Sequence, residues 1–191
     1  KVATFSALVY FSSLAAGRAA GVGGPASCFL LPSAMEQLPD VATLVSIYNQ
    51  INAYGRTNGM ELQLTQPGQV QYTMAVRPDH LSSPGTCHGG VLAGLLDAAL
   101  GAAALSLAFT AGELVSTVEF KINYLHPVYL HDYLVAHGTV EHSGKTLIVS
   151  SATITCPARN NVVVARGLGT FNRYPASKRD FRDLLFPSSE E

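Results

Sequence analysis

GTCHGGVLAGLLDAALGAAALSL, residues 85–107, decides how the chain is read. From Val91 onward it is a run of Leu, Ala and Gly without a breaker, which predicts a helix buried on nearly every side. It opens on His88, Gly89 and Gly90 and carries a single acid, Asp97. An ionised carboxylate in an apolar layer costs several kcal/mol unless it is paired or hydrogen-bonded, so Asp97 calls for a task. Gly94, Ala98, Ala99, Gly101, Ala102, Ala103 and Ala104 keep the helix thin, which lets neighbouring backbone approach closely.

Outward from this helix the punctuation is regular. Upstream, VATLVSIYNQINAYG (41–55) places Val41, Leu44, Val45, Tyr48 and Ile51 at helical spacing, with Asp40 as a candidate cap and Gly55 as a stop. MELQLTQ (60–66) and QVQYTMAVR (69–77) alternate around a turn at Pro67 and Gly68, the pattern of a hairpin. Downstream, STVEFKINYLHP (116–127) alternates, which predicts Val118, Phe120, Ile122 and Tyr124 on a covered face and Thr117, Glu119, Lys121 and Asn123 on the other. YLVAHGTVEH (133–142), TLIVSSATITC (146–156) and VVVARGLGTFNRY (162–174) follow as an antiparallel meander, with turns at Ser143 and Gly144 and across residues 159–161. The order is helix, two strands, a long buried helix and four strands. It implies an α+β domain whose curved antiparallel sheet wraps one central helix.

Composition bounds the function. The 191 residues are 48% hydrophobic and 13% charged, enough for one domain with a real core. Twelve Lys and Arg against thirteen Asp and Glu give a net charge of -1, so no basic field exists to hold nucleic acid. Cys28, Cys87 and Cys156 lie far apart, and neither a zinc site nor a disulfide framework is signalled. Residues 1–38 are expected to form a leader or a disordered extension, since the first 35 contain two basic residues, no acid and many small residues. A cytoplasmic location is the default; an organellar or exported one follows if that leader is a targeting segment. Ser and Thr interruptions there, and Asp97 in residues 91–109, argue against a membrane span. Residues 39–175 make the domain, and residues 176–191 a polar, peripheral tail.

The segments SSPGTCHGGVLAGLLDAALG and STVEFKINYLHPV together resemble the acyl-CoA thioesterases of the hotdog fold, in the phenylacetate-pathway (PaaI-like) branch. HGG opens the helix, the acid follows nine positions after the His, and the patterned strand comes next. The resemblance covers roughly residues 39–174 and implies hydrolysis of acyl-CoA or aryl-CoA thioesters with no metal or organic cofactor.

The chemistry expected at such a site can be built from the residues. Amides at a helix N-terminus lack intrahelical partners and carry partial positive charge. Gly89 and Gly90, without side chains, let a thioester carbonyl approach them, and Gly89 is the expected oxyanion donor. Asp97 is expected to act as nucleophile or as general base on water, with burial raising its pKa. His88 either polarises the thioester or shapes the helix entrance. Thr117 matches the position where relatives carry a Ser or Thr hydroxyl near the acid. Ser82 stands where many relatives carry Asn, and a hydroxyl cannot supply an amide's donors and acceptor together. Val91 is expected to shape the acyl pocket, and Lys145, at a hairpin turn, to meet a CoA phosphate.

Nine helical residues put Asp97 about 13 Å along the axis from His88, too far for both to touch one reacting carbon. A two-fold dimer with antiparallel central helices brings Gly89 of one chain to Asp97 of the other. The hotdog resemblance implies the same homodimer with shared sites, and a homotetramer as its higher assembly. Two other readings stand beside hydrolysis: a non-catalytic acyl-CoA-binding hotdog protein, and a hotdog dehydratase. Cys87, before a helix N-terminus, is read as a packed free thiol. His80, His126, His131, His137 and His142 are read as loop and strand residues.

Overall fold

A computed structural model describes residues 41–83 and 85–178. The expected leader, the Asp40 cap, Cys28 and most of the C-terminal tail lie outside the described residues. The elements in chain order are α1 (Val41–Ile51), α2 (Ala53–Asn58), β1 (Met60–Gln66), β2 (Gln69–Ala75), α3 (Gly89–Phe109), β3 (Glu113–Tyr124), β4 (Tyr133–Ser143), β5 (Leu147–Cys156) and β6 (Val162–Pro175). The helix expected through Gly55 instead breaks at Asn52, whose side-chain oxygen accepts the Gly55 amide at 3.0 Å and starts α2. Competition from the Asn side chain for a backbone amide ends one helix and caps the next. The stop is Gly59, at φ 66°, a left-handed position that glycine adopts without steric cost.

The six strands form one antiparallel sheet in the order β1-β2-β4-β5-β6-β3. Its inner face is set by alternation: Ile148, Ser150, Ala152, Ile154 and Cys156 of β5 are all buried. Against that face lie Leu92, Leu95, Leu96, Ala99, Leu100 and Ala103 of α3, all buried. Each fully buried Leu contributes about 1.5–3 kcal/mol. The helix is long and apolar enough to cross a bilayer by length and composition, yet 56% of its apolar stretch is buried within this domain. The sheet therefore accounts for its hydrophobicity, and this is the hotdog fold.

The thinness read from the sequence has a counterpart in the strands. A Cβ on Gly138 of β4 would stand 2.3 Å from the Ala99 carbonyl oxygen of α3, so strand and helix backbones meet directly there. One stripe of α3 escapes the wrapping. Gly94, Asp97, Ala98 and Gly101 remain half-buried, flanked on one side by β3 and on the other by the α1–α2 segment, whose Tyr54 hydroxyl sits against Gly94.

β3 departs from the simple alternation. Its pairing with β6 shifts between Thr117, opposite Phe171, and Glu119, opposite Thr170, leaving Val118 as an extra residue. A bulge of this kind reverses which residues face inward. Before it Val115 packs on the core, and after it Phe120 and Ile122 do. Thr117 thus joins the inward set and reaches α3, contrary to its expected outward place. Val118, expected on the covered face, is 59% exposed, and Tyr124 is 52% exposed. β3 is also an edge of the sheet, paired only with β6.

Candidate active site

The N-terminus of α3 can be accounted for amide by amide. His88 donates its backbone N–H to the His80 carbonyl at 2.8 Å, and the Val91 amide goes to the His88 carbonyl at 3.0 Å. The Gly90 amide is capped by Nδ1 of the His88 side chain at 2.9 Å. Among the described residues, Gly89 is left as the one amide in this first turn without such a bond, at the end where the helix dipole is positive. His88 therefore serves as the helix N-cap. Accepting at Nδ1 requires that nitrogen to be unprotonated, which leaves Nε2 as the proton-bearing nitrogen of the neutral ring.

Two turns on, Asp97 lies on the half-buried stripe. Burial raises its carboxyl above the ordinary range, and a hydrogen bond from the Thr117 hydroxyl, at 3.3 Å to Oδ1, works against that rise. The carboxylate also lies near Tyr48 of α1, whose phenol is held above its ordinary range by burial first and by the Asp97 charge in addition.

Beside Gly89 opens a groove of about 310 Å³, lined by Thr86, Cys87, Leu92, Tyr124, His126, Val128 and their neighbours. Tyr124 closes one side by donating its hydroxyl to the Gly89 carbonyl at 3.0 Å. Sequence reasoning missed this contact because strand parity put Tyr124 on the covered face. Cys87 is buried and its thiol is pushed up to about 11, by desolvation first and by the Asp132 charge second. That keeps it protonated, in line with a packed thiol rather than a nucleophile.

The remaining residues named from the sequence are dispersed. The Ser82 hydroxyl donates to the Thr86 carbonyl at 3.0 Å and closes the loop before the helix; it does not bond Asp97. Val91 is half-buried on the first turn of α3. Lys145 is exposed on the β4–β5 turn. The register puts that turn beside the Glu113 end of β3, because Arg173 pairs with Val115 and its amide bonds the Thr146 carbonyl at 2.9 Å. Gly89 sits at the opposite, Tyr124 end, and twelve residues of strand span roughly 36 Å, so one chain does not bring Lys145 to its own Gly89. His80 is buried, with Nδ1 accepting the Arg77 amide at 3.3 Å, and burial lowers its pKa. The exposed His126 ring contacts the Val163 carbonyl at 2.8 Å. No group of three or more His, Cys, Asp or Glu side chains among the described residues is arranged to hold a metal.

Comparison with known proteins bears on the fold and the family. The thioesterase superfamily matches residues 84–162, which include the helix, Asp97 and Thr117. A putative esterase of Archaeoglobus fulgidus is 30% identical over 108 residues, 56% of this chain and 65% of that protein, so the match spans just under two thirds of that relative's length. Human acyl-coenzyme A thioesterase 13 is 33% identical over 98 residues, covering 51% of this chain and 68% of that one. Among solved structures, the Escherichia coli PaaI protein from the phenylacetic acid degradation operon superposes with a TM-score of 0.63 at 27% identity, covering 72% of this chain and 96% of that one. With its wrapped helix, its HGG entrance and relatives that include acyl-CoA thioesterases, the chain belongs to the thioesterase superfamily.

Proposed function

We propose that the protein hydrolyses acyl-CoA or aryl-CoA thioesters to the free acid and CoA, with Asp97 as nucleophile or general base and the Gly89 amide as oxyanion donor. The observation that carries this reading is the pairing of a single uncommitted N-terminal amide at Gly89 with a raised, Thr117-bonded carboxyl at Asp97, two turns further along α3. The amide stabilises negative charge as it develops on the thioester oxygen. Asp97 either attacks the carbonyl carbon, expelling CoA thiolate and forming an anhydride that water then opens, or takes a proton from the attacking water. The exposed His88 ring, spent through Nδ1 on capping Gly90, leaves Nε2 for orienting the thioester. The test is thiol release from a panel of acetyl-, hexanoyl-, palmitoyl- and phenylacetyl-CoA. Binding without release favours a carrier, and formation of a double bond from a hydroxyacyl-CoA favours a dehydratase.

The site is shared between two subunits in this reading. Gly89 and Asp97 are about 12 Å apart along one helix. β3 has an unpaired edge with Val118 exposed, a ready surface for a second copy. Antiparallel pairing there sets the Glu113 end of one β3 beside the Tyr124 end of the other, which carries Lys145 toward the partner's groove as a CoA-phosphate contact. Mixing supplies a sharp check. Asp97→Asn and Gly89→Val are each expected to be inactive alone, and an equal mixture refolded together recovers about a quarter of wild-type activity, since half the dimers are mixed and each holds one intact site. Absence of recovery in verified mixed dimers contradicts a shared site.

The pH profile offers a second check. Hydrolysis needs ionised Asp97, so activity falls as pH drops through its raised pKa, above the range of an ordinary carboxylate. Thr117 lowers that pKa, so Thr117→Val is expected to move the acid limb to higher pH and to cost roughly tenfold in kcat. An unmoved limb removes Thr117 from the site.

A further inference from the structure

The groove wall beside Gly89 is the segment linking β3 to β4, and a charge pair ties it down. Arg159, in the turn between β5 and β6, donates from one guanidinium nitrogen to the Pro127 carbonyl at 2.8 Å and to Asp132 Oδ2 at 3.1 Å, and lies 5.4 Å from the Tyr129 ring centre. Asp132 Oδ2 also accepts the Tyr129 amide at 2.9 Å, and its side chain is only 13% exposed. The clasped segment holds the approach to α3 from one side, beside the His80–His88 and Ser82–Thr86 bonds of the preceding loop. The Val128 carbonyl accepts the Cys87 amide at 2.8 Å, two residues before Gly89, and Thr86 bridges Tyr129. Pro127, Val128, Cys87 and Gly89 all line the same groove.

We infer that Arg159, through Asp132 and the 127–132 segment, is a positioning residue for the Gly89 amide. This rests on the reading of that amide as the oxyanion donor. The physical basis is the steep dependence of oxyanion stabilisation on donor placement: a misplacement of about 1 Å can cost a hundredfold. Leu125 and His126 of the same wall donate to the Val164 carbonyl of β6, and His131 and Asp132 bond Val76; the Arg159 clasp is the side-chain tie that runs from the β5–β6 turn to residues 127–132, which in turn hold Cys87. Arg suits the task because one terminal nitrogen bonds a carbonyl and a carboxylate while the planar guanidinium lies over an aromatic ring; a lysine ammonium could supply the two bonds but not the planar contact with the ring.

Arg159→Met, Arg159→Lys and, as a matched control, Arg173→Met are compared in the full chain. Arg173 pairs with Glu113 at the other end of β3 and bonds Ser143 and Gly144 of the β4–β5 turn, so its loss removes a half-buried ion pair far from the Gly89 amide of its own chain, and any effect through Lys145 falls on KM. Two readouts are taken per folded molecule: kcat and KM on the best substrate of the acyl-CoA panel, and amide hydrogen exchange of residues 85–92. Arg159→Met is expected to lower kcat by about ten- to a hundredfold with KM within about twofold. Exchange at 85–92 quickens, Arg159→Lys recovers part of both, and Arg173→Met keeps the wild-type kcat and exchange. A kcat in Arg159→Met equal to that of Arg173→Met overturns the inference. Should the wild type release no thiol from any substrate, the thioesterase reading falls separately. Exchange then decides the clasp: faster exchange in Arg159→Met than in Arg173→Met upholds it, and equal exchange overturns it.

Discussion

Asp97→Asn is expected to lower kcat for acyl-CoA hydrolysis by about a thousandfold or more while leaving the fold intact. Asn keeps the size and an acceptor for the Thr117 hydroxyl, but it can neither attack a thioester nor take a proton from water. The same substitution is expected to raise the melting temperature at neutral pH. The sign follows from the direction of the pKa. Folding raises the Asp97 pKa, so the protonated side chain suits the folded state and ionisation opposes it. The stability that this group contributes is complete below its unfolded pKa and is lost as pH rises through the folded one. The gain of Asn over Asp is therefore largest at neutral and alkaline pH and vanishes in acid. Steady-state thiol release and thermal melts at several pH values measure both effects. A variant retaining more than about a tenth of wild-type kcat removes Asp97 from the chemistry. Loss of activity together with a lower melting temperature makes it a structural acid instead.

The second large effect is on stability. Gly138→Ala is expected to cost about 3 kcal/mol or more, because the new methyl group would lie 2.3 Å from the Ala99 carbonyl oxygen and 2.8 Å from its carbon. Both are backbone atoms of the wrapped helix, so no side-chain rotation relieves the overlap; β4 must move off α3, along with the β2 and β5 strands paired to it. Gly101→Ala is the comparison. Its methyl group meets the Phe171 ring edge at 3.3 Å, a side chain that can give by a few tenths of an ångström, and alanine is the better helix former. Urea denaturation of the two variants should separate them widely. Equal stabilities would mean that strand and helix are not packed backbone to backbone at this point.

The central helix was legible because nothing competes with its signal: a long apolar run without a breaker needs a covering, and alternating strands on both sides supply it. Asp97 stood out for the same reason, since a carboxylate in that run is costly without a task. The α1 boundary was less legible. A Gly at position 55 is a fair stop signal, but the decision lay with the Asn52 side chain capping a second helix, a hydrogen bond that periodicity does not encode. The β3 face was misread at its centre. Alternation assumes one residue per pleat, and the bulge at Val118 inserts one more.

The sequence by itself determined the architecture, the lone acid of the central helix and the glycine entrance to it, because hydrophobic periodicity and the cost of an isolated charge are local properties of the chain. Tertiary structure alone decided three things. It turned Thr117 inward onto Asp97 through a bulge set by pairing with β6. It left Gly89 as the uncommitted amide by drawing His88, Gly90 and Val91 into other bonds. It set Lys145 and Gly89 at opposite ends of β3. Each depends on which distant backbone groups meet, and that is fixed by register and packing between segments far apart in the chain.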